Sequence, residues 1–229
     1  MNQSDEIIQN LKKFNIDGIF KNINQDFFQL TLFKKGELIC DKGFELDRLF
    51  IVVEGKVKIY TTTPDGKKLI IRFKNPIAII GDIELIQNIE AQNAVEACTE
   101  VRAISLSFDV IKQELLNDFA FMNFLLENAT HNLFMSTNFT SLNLLYPAEV
   151  RVASYLLSIT TDGTGKPIND EIDFTSISDL ADYVGSSYRH IIRILQKFTK
   201  ENIIERRNGR IIVKDSVELR KRAINNIYE

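Results

Sequence analysis

Cysteine and histidine are scarce in this chain: its 229 residues include only two of each, and there is no tryptophan. The two cysteines, Cys40 and Cys98, lie far apart and form no CxxC pair, which excludes the usual zinc knuckle and disulfide frameworks. Metal centres bring several such ligands together, so we predict no metal site. We expect reduced, buried thiols. The alternative, a redox switch, would need an exposed thiol of lowered pKa.

Long hydrophobic runs and the common catalytic motifs are also missing. The longest apolar run is Leu49–Val53, whereas a membrane-spanning helix needs about 20 residues. The polar, acidic start Met1–Glu6 does not resemble a signal peptide, so we expect a cytoplasmic protein with no membrane partner. GxGxxG, GxxxxGK[ST], GxSxG and HExxH are all absent. No residues are therefore nominated as catalytic, and we predict that the chain is not an enzyme.

Glycine and proline are unevenly distributed: eight of them fall before residue 82, and the next is Pro147. Between Gln29 and Leu106, short β-branched and aromatic runs are separated by turn residues, which predicts an antiparallel sandwich or barrel. Pro64-Asp65-Gly66 predicts the turn of a hairpin, because it separates an alternating strand near 56–61 from a strand that begins near Lys67.

A long helix is predicted from about 119 to 145, because 107–145 contains neither glycine nor proline and its apolar residues keep helical spacing. Both faces of this helix are apolar, so we favour a dimer seam over a buried core helix. The residues assigned to the first face are Phe121, Leu125, Ala129, Leu133 and Phe139. Those on the other face are Phe124, Met135, Leu142 and Leu144.

Pro147 marks the next boundary, since proline suits the first turn of a helix and disfavours helical geometry in the residue before it. We predict three parts: a sensor domain with flanking helices (1–118), a dimerization helix (119–146) and a C-terminal domain (147–229). The elements predicted in the last part are a helix over 147–160, a strand near 172–174, two closely spaced helices, and a hairpin over 203–213 that turns at Asn208-Gly209.

Positive charge is concentrated near the C-terminus of a chain whose net charge is −3. Residues 188–214 contain eight Lys and Arg against two Asp and Glu, whereas 147–187 contain two against seven. A basic segment on an acidic protein is typical of a nucleic-acid contact. A solvated basic face is the alternative that charge alone leaves open.

The segment Ile177–Gln196 has the pattern of a helix-turn-helix. Apolar residues stand where the two helices would touch, namely Leu180, Val184, Ile191 and Ile194. Ala181 is small at the predicted crossing, and Gly185 permits a positive φ in the turn. The hydroxyl of Ser186 or Ser187 can cap the second helix.

The second helix would present its polar side to a DNA groove. Arg189 and Arg193 can each bond guanine and Gln196 can bond adenine, although Arg189 could instead contact only phosphate. The following hairpin would act as a wing whose arginines meet the phosphate backbone. The predicted DNA-binding residues are Ser187, Tyr188, Arg189, His190, Arg193, Gln196, Arg206, Arg207 and Arg210.

These features, together with the runs Phe33–Ile39 and Leu49–Tyr60, resemble the Crp/Fnr superfamily of transcription regulators over nearly the whole chain. The Ser187–His190 stretch is similar to the YeiL-type subgroup. The resemblance implies an α+β fold with an antiparallel β-roll of the cyclic-nucleotide-binding, jelly-roll type, a long dimerization helix and a winged helix-turn-helix. Many family members carry a glutamate where Arg189 stands, so we expect a different preferred half-site.

The resemblance also locates an effector pocket, and this chain departs from the family pattern there. Nucleotide-binding members have Gly-Glu followed by Arg-Ser or Arg-Thr, whereas this chain has Gly81-Asp82 and Gln92-Asn93. Glutamine carries no charge to pair with a phosphate, so cyclic AMP is a poor candidate. Residues 1–39 contain no cysteine, which argues against the iron–sulfur cluster of the oxygen-sensing branch. Ser136 and Thr137 match positions that close over ligands, although we favour the interpretation that they are plain surface hydroxyls.

We therefore predict a homodimeric, sequence-specific DNA-binding regulator. Its expected partners are a double-stranded operator, an unknown small-molecule effector and a second copy of the chain, with RNA polymerase as a further candidate. Its cofactor is unknown. Two alternatives remain: a ligand-sensing or protein-interaction module whose winged helix does not bind DNA, and the redox-responsive regulator considered above.

Overall fold

The computed structural model describes residues 3–66, 68–161, 171–173, 177–207 and 210–224. Its helices are α1 (Gln3–Lys13), α2 (Asp82–Gln87), α3 (Phe108–Glu114), α4 (Phe119–Leu145), α5 (Ala148–Thr160), α6 (Ile177–Val184), α7 (Tyr188–Lys200) and α8 (Ser216–Arg222). Its strands are β1 (Gln29–Phe33), β2 (Leu38–Cys40), β3 (Arg48–Glu54), β4 (Val57–Thr62), β5 (Lys68–Lys74), β6 (Ala78–Ile80), β7 (Ala94–Ala97), β8 (Val101–Ser107), β9 (Glu171–Asp173), β10 (Ile204–Arg207) and β11 (Arg210–Val213). The predicted α+β class is confirmed.

Two four-stranded sheets form the N-terminal roll, in the orders β1-β8-β3-β6 and β2-β7-β4-β5. In the first sheet β8 pairs antiparallel with both β1 and β3, with Ile104 opposite Leu30 on one side and Ile51 on the other. Successive residues of a strand point to opposite faces, so Leu49, Ile51 and Val53 share one face of β3. All three are buried in the core of the roll.

Helices cover this apolar face of the first sheet. Residues of α1, α3 and the first turns of α4 lie in the same core cluster as β3 and β8. The Phe20 ring meets the rings of Phe28, Phe121 and Phe124 edge-on, with centroids 5.7, 6.1 and 6.4 Å apart. Edge-to-face pairs of this kind stabilise beyond the area they bury. The start of α4 is thus part of the roll.

The orientation of α4 corrects one sequence-based prediction. Leu125, which we assigned to a dimer seam, is only 5% exposed and lies with Phe121 in the core of the roll. Leu133 is 70% exposed, as a seam residue should be. The side chain of Phe139 lies outside the described residues. Although α4 has 27 residues, no described helix is both long and apolar enough to cross a membrane.

Gly55 makes the tight turn between β3 and β4. Its φ is +88°, and a Cβ atom there would lie 2.1 Å from the carbonyl oxygen of Glu100. No side chain fits at that distance, and L residues rarely adopt this φ. Glycine is therefore required for β3 and β4 to be joined in this way.

The β4–β5 hairpin turns where Pro64-Asp65-Gly66 predicts, and the Gly66 N–H donates to the Thr63 carbonyl at 2.9 Å. The chain divides into two compact units, one containing 1–57 and 74–134 and the other 58–73 and 135–229. The hairpin thus belongs to the same unit as the C-terminal domain. Within that unit the Phe73 ring packs edge-on against Tyr155 of α5, with centroids 5.9 Å apart.

The C-terminal domain contains α5 to α8 and a three-stranded sheet of order β10-β11-β9. Helix α5 begins directly after Pro147, as predicted, and β9 lies one residue before its predicted place. The predicted turn at 208–209 lies outside the described residues. Helix α8 was not predicted; the Asp215 carboxylate caps it by accepting from the Glu218 N–H at 2.8 Å.

Candidate nucleic-acid interface

Helices α6 and α7 form the predicted helix-turn-helix. They are joined through Gly185, whose φ of +66° is the positive value expected for this turn. The residues predicted to lie between the helices are all buried, namely Leu180, Ala181, Val184, Ile191 and Ile194. The buried stripe of α7 continues through Leu195 and Phe198. Only one side of α7 is therefore available to a partner.

The first turn of α7 is capped by Ser187. Its hydroxyl oxygen accepts from the His190 N–H at 3.3 Å, so Ser187 is the capping serine. The Ser186 hydroxyl instead lies 3.3 Å from Nδ1 of the His190 ring. The dipole of α7 gives its N-terminus a partial positive charge, which suits a phosphate group.

The exposed side of α7 carries every recognition residue predicted from the sequence. These residues are Ser187, Tyr188, Arg189, His190, Arg193 and Gln196, and each one is exposed. Arg189 and Arg193 are four residues apart and so project from the same side of the helix. A guanidinium can make two parallel hydrogen bonds to guanine. The arrangement is thus suited to contacting base edges in a major groove.

Ion pairs hold α7 against the rest of the domain, and sequence reasoning missed them. Lys197 Nζ lies 2.8 Å from both carboxylate oxygens of Glu149 on α5. Arg222 of α8 lies 3.2 Å from Glu149 and 3.0 Å from Glu201. Lys197 belongs to the basic segment 188–214, but its charge is paired with that of Glu149. The partner is 48 residues away, so no local sequence pattern could have identified it.

The wing consists of β10 and β11, which pair in antiparallel register with Arg207 opposite Arg210. Arg206, Arg207 and Arg210 are all exposed. Because these side chains are exposed, a phosphate backbone can approach them, so the geometry suits the predicted phosphate contact.

The predicted effector pocket lies around the start of α2. Gly81 precedes this helix with a φ of +96°, and a Cβ there would be 2.7 Å from the Arg48 carbonyl oxygen. The Asp82 carboxylate accepts from Asn128 Nδ2 of α4 at 2.6 Å. The pocket helix is therefore tied directly to α4. Asn128 was not singled out from the sequence, because nothing local indicates this contact.

Gln92 and Asn93 lie beside α2, so the structure brings four of the six pocket candidates together. The Gln92 N–H points to Glu84 of α2 at 3.4 Å, and its side-chain amide donates to the Glu90 carbonyl at 2.9 Å. The Asn93 carbonyl accepts from the Cys40 thiol at 3.8 Å. The carboxylates of Asp82 and Glu84 and the neutral amide of Gln92 thus lie in this part of the roll.

Ser136 and Thr137 belong to the other compact unit, so their part in a pocket stays a prediction. On α4, the Ser136 carbonyl accepts from the Thr140 hydroxyl at 2.9 Å, which is an ordinary contact within a helix.

Among the described residues, no group of three His, Cys, Asp or Glu side chains could hold a metal ion.

Cys40 lies beside the pocket, and its environment opposes a redox role. Burial, reinforced by the negative charge of Glu84, raises the pKa of the Cys40 thiol to about 12. The thiolate is the reactive form, so at neutral pH this thiol is protonated and unreactive. Cys98, which is also not in a disulfide, is partly buried.

We expect iodoacetamide to alkylate Cys40 in the folded protein about a thousandfold more slowly than free cysteine at pH 7.4, because so little thiolate is present. Between pH 7 and pH 9 the rate should rise about tenfold for each pH unit, because the thiol stays almost wholly protonated over that range. Mass spectrometry of the alkylated peptides over time measures this rate for each cysteine, with Cys40→Ser as the control. Rapid labelling of Cys40 at neutral pH would contradict the expected pKa.

Comparisons with known proteins find matches to two parts of the chain. Residues 30–118 match the family described as the cyclic nucleotide-binding domain, and residues 150–222 match the Crp-like helix-turn-helix domain. The chain is 25% identical over 191 residues to the regulatory protein YeiL of Escherichia coli O157:H7, which covers 83% of this chain and 84% of that protein.

Two further proteins are similar over most of the chain. The CRP-like cAMP-activated global transcriptional regulator of Mycobacterium tuberculosis is 26% identical over 196 residues, covering 83% of this chain and 86% of that protein. A CRP/FNR-family transcriptional regulator of Thermus thermophilus has the same fold, with a TM-score of 0.69 and 22% identity over 86% of this chain and 98% of that one.

Proposed function

Because the chain belongs to the Crp/Fnr family of DNA-binding transcription regulators, we propose that it binds its operator as a homodimer, with α7 of each copy in the major groove of one half-site. One observation carries this proposal: the side of α7 that bears Arg189 and Arg193 is exposed, while its opposite side is buried within the domain. Binding to the chromosome would place the protein in the cytoplasm. RNA polymerase is a further proposed partner.

The proposed dimer seam is the exposed side of α4. Phe119, Met122, Leu126 and Leu133 are all exposed, although they are large and apolar. They follow the alternating three- and four-residue spacing of a coiled-coil seam, with Ala129 as the small member between Leu126 and Leu133. The adjacent side of the helix, which carries Phe121 and Leu125, is already used by the core of the roll. A second copy of α4 is the proposed cover for this stripe.

The proposed input is an effector other than a cyclic nucleotide, which acts through the pocket near α2. The hydrogen bond between Asp82 and Asn128 supports this coupling, because it joins the pocket helix to α4. A ligand that changes this contact would shift the population of dimers whose recognition helices have the spacing of the two half-sites.

The proposal is tested by selecting bound sequences from a random duplex pool with the full chain. We expect an inverted repeat whose half-site centres are about 10 bp apart, since a two-fold dimer places its recognition helices one DNA turn apart. Binding should weaken steeply as salt rises, because the wing arginines displace counterions. Recovery of no common sequence, or of a single half-site, would contradict the dimeric operator complex.

We expect calorimetry with cyclic AMP or cyclic GMP to detect no specific binding at high micromolar ligand. A phosphate held near Asp82 and Glu84 without a cation would lose the pairing that such groups need, which costs about 3–5 kcal/mol. Gln92→Arg is the matched comparison, because it restores a positive charge at that position. A tight, saturable isotherm with the unsubstituted chain would overturn this expectation.

A further inference from the structure

A second basic segment lies outside the helix-turn-helix. Residues 56–74, which we call the basic hairpin, contain six Lys and Arg and one acidic residue, Asp65. The remainder of 1–146 contains nine basic and eighteen acidic residues. Lys56 is buried, and the other five basic residues still outnumber the single acidic one, so the hairpin is positive within an otherwise acidic part of the chain. Such a contrast in charge indicates a polyanionic partner.

Two of these cations share one aromatic ring. The ammonium groups of Lys58 and Lys68 lie 5.7 and 5.0 Å from the centroid of the Tyr60 ring. Tyr60 is itself buried, so it forms a fixed base for both side chains. Cation–π contacts hold lysines in place and lower the entropy that is lost when they bind an anion. Lys58 and Lys68 are thus a preorganised pair of positive charges.

Residues 58–73 of the basic hairpin also lie in the same compact unit as the DNA-binding domain. Its strand β5 packs against α5 through the rings of Phe73 and Tyr155. The same helix α5 holds the recognition helix, through the ion pair between Glu149 and Lys197. The basic hairpin and the recognition helix are therefore attached to one common helix.

We propose that the basic hairpin is a second DNA contact, which binds phosphates of the duplex outside the half-site held by α7. This inference rests on the function proposed above. A duplex that continues past the half-site presents a regular row of phosphates. Lysine ammonium groups bind phosphates as point charges and convey no sequence information. The hairpin would thus add affinity and salt dependence without changing the operator sequence.

The test uses the full chain and the operator selected from the random pool, in two lengths. One duplex contains only the two half-sites, and the other extends by about 10 bp, one helical turn, at each end. The variant carries Lys58→Gln and Lys68→Gln. We expect it to bind the extended duplex about tenfold more weakly at 50 mM salt, with a salt slope smaller by about two units for each protomer. Its affinity for the short duplex should change less than about twofold, since those phosphates contact α7 and the wing.

The matched control carries Lys34→Gln and Lys35→Gln, which removes the same charge from an exposed turn of the roll. Circular dichroism and melting curves show whether either variant is misfolded. If both variants lose affinity equally, net charge alone explains the effect and the hairpin contact is wrong. An unchanged affinity of the hairpin variant for the extended duplex would also overturn it. If the unsubstituted chain selects no sequence, the proposed function fails, and the hairpin contact fails with it.

Discussion

Replacing Leu126 or Leu133 with glutamate is expected to convert the dimer into a monomer and to weaken operator binding at least about a hundredfold. Each leucine buried in a seam stabilises the association by about 1.5–3 kcal/mol, and a glutamate there would also have to lose its hydration. A monomer holds one half-site at a time, so the gain from binding two linked half-sites is lost. Sedimentation velocity and operator titrations measure the two effects.

His131→Glu is the matched control, because this exposed residue of α4 lies away from the apolar stripe. We expect that variant to remain dimeric. Leu125→Glu should instead unfold the roll, since Leu125 lies in its core. A monomeric unsubstituted protein at micromolar concentration, or a dimer that survives both seam substitutions, would contradict the proposed seam.

Replacing Arg189 with alanine is expected to cost about 1–3 kcal/mol of operator affinity and to relax the preference at one base position. The exposed guanidinium of Arg189 can reach a base edge from the same side of α7 as Arg193. Non-specific binding should be nearly unchanged, because the wing and the other phosphate contacts remain. Selection from a random pool, repeated with the variant, measures the change in consensus.

Arg207→Ala is the contrasting variant, because Arg207 is proposed to contact phosphate rather than a base. It should weaken binding to all sequences alike and lower the salt slope by about one unit. An unchanged consensus for Arg189→Ala would make Arg189 a phosphate contact and leave sequence recognition to Tyr188, Arg193 and Gln196.

Local patterns predicted much of the fold, because the determinants of these elements are close together in the sequence. The β4–β5 turn depends on Pro64-Asp65-Gly66, and the helix-turn-helix depends on Gly185 and the apolar spacing around it. Helix α4 begins and ends as predicted, since no glycine or proline interrupts it. The exposure of the recognition residues followed from the same spacing.

The orientation of α4 could not be predicted in this way. Its apolar residues occur on both faces, so periodicity alone does not identify the face that packs on the roll. That choice is made by distant groups, above all the Phe20 ring against Phe121 and Phe124. For the same reason, the contacts of Asn128 with Asp82 and of Lys197 with Glu149 became known only from the structure.

Helix α4 therefore contributes to two stabilising interactions at once: its buried face completes the core of the roll, and its exposed face is the proposed seam. Unfolding of the roll would disrupt the buried face and with it the helix on which the partner packs. By mass action, a partner that binds only the folded form stabilises it, and more so as the protomer concentration rises. The melting temperature of the roll would then depend on how much protein is present, and a dilute sample would measure the stability of a single copy rather than that of the dimer.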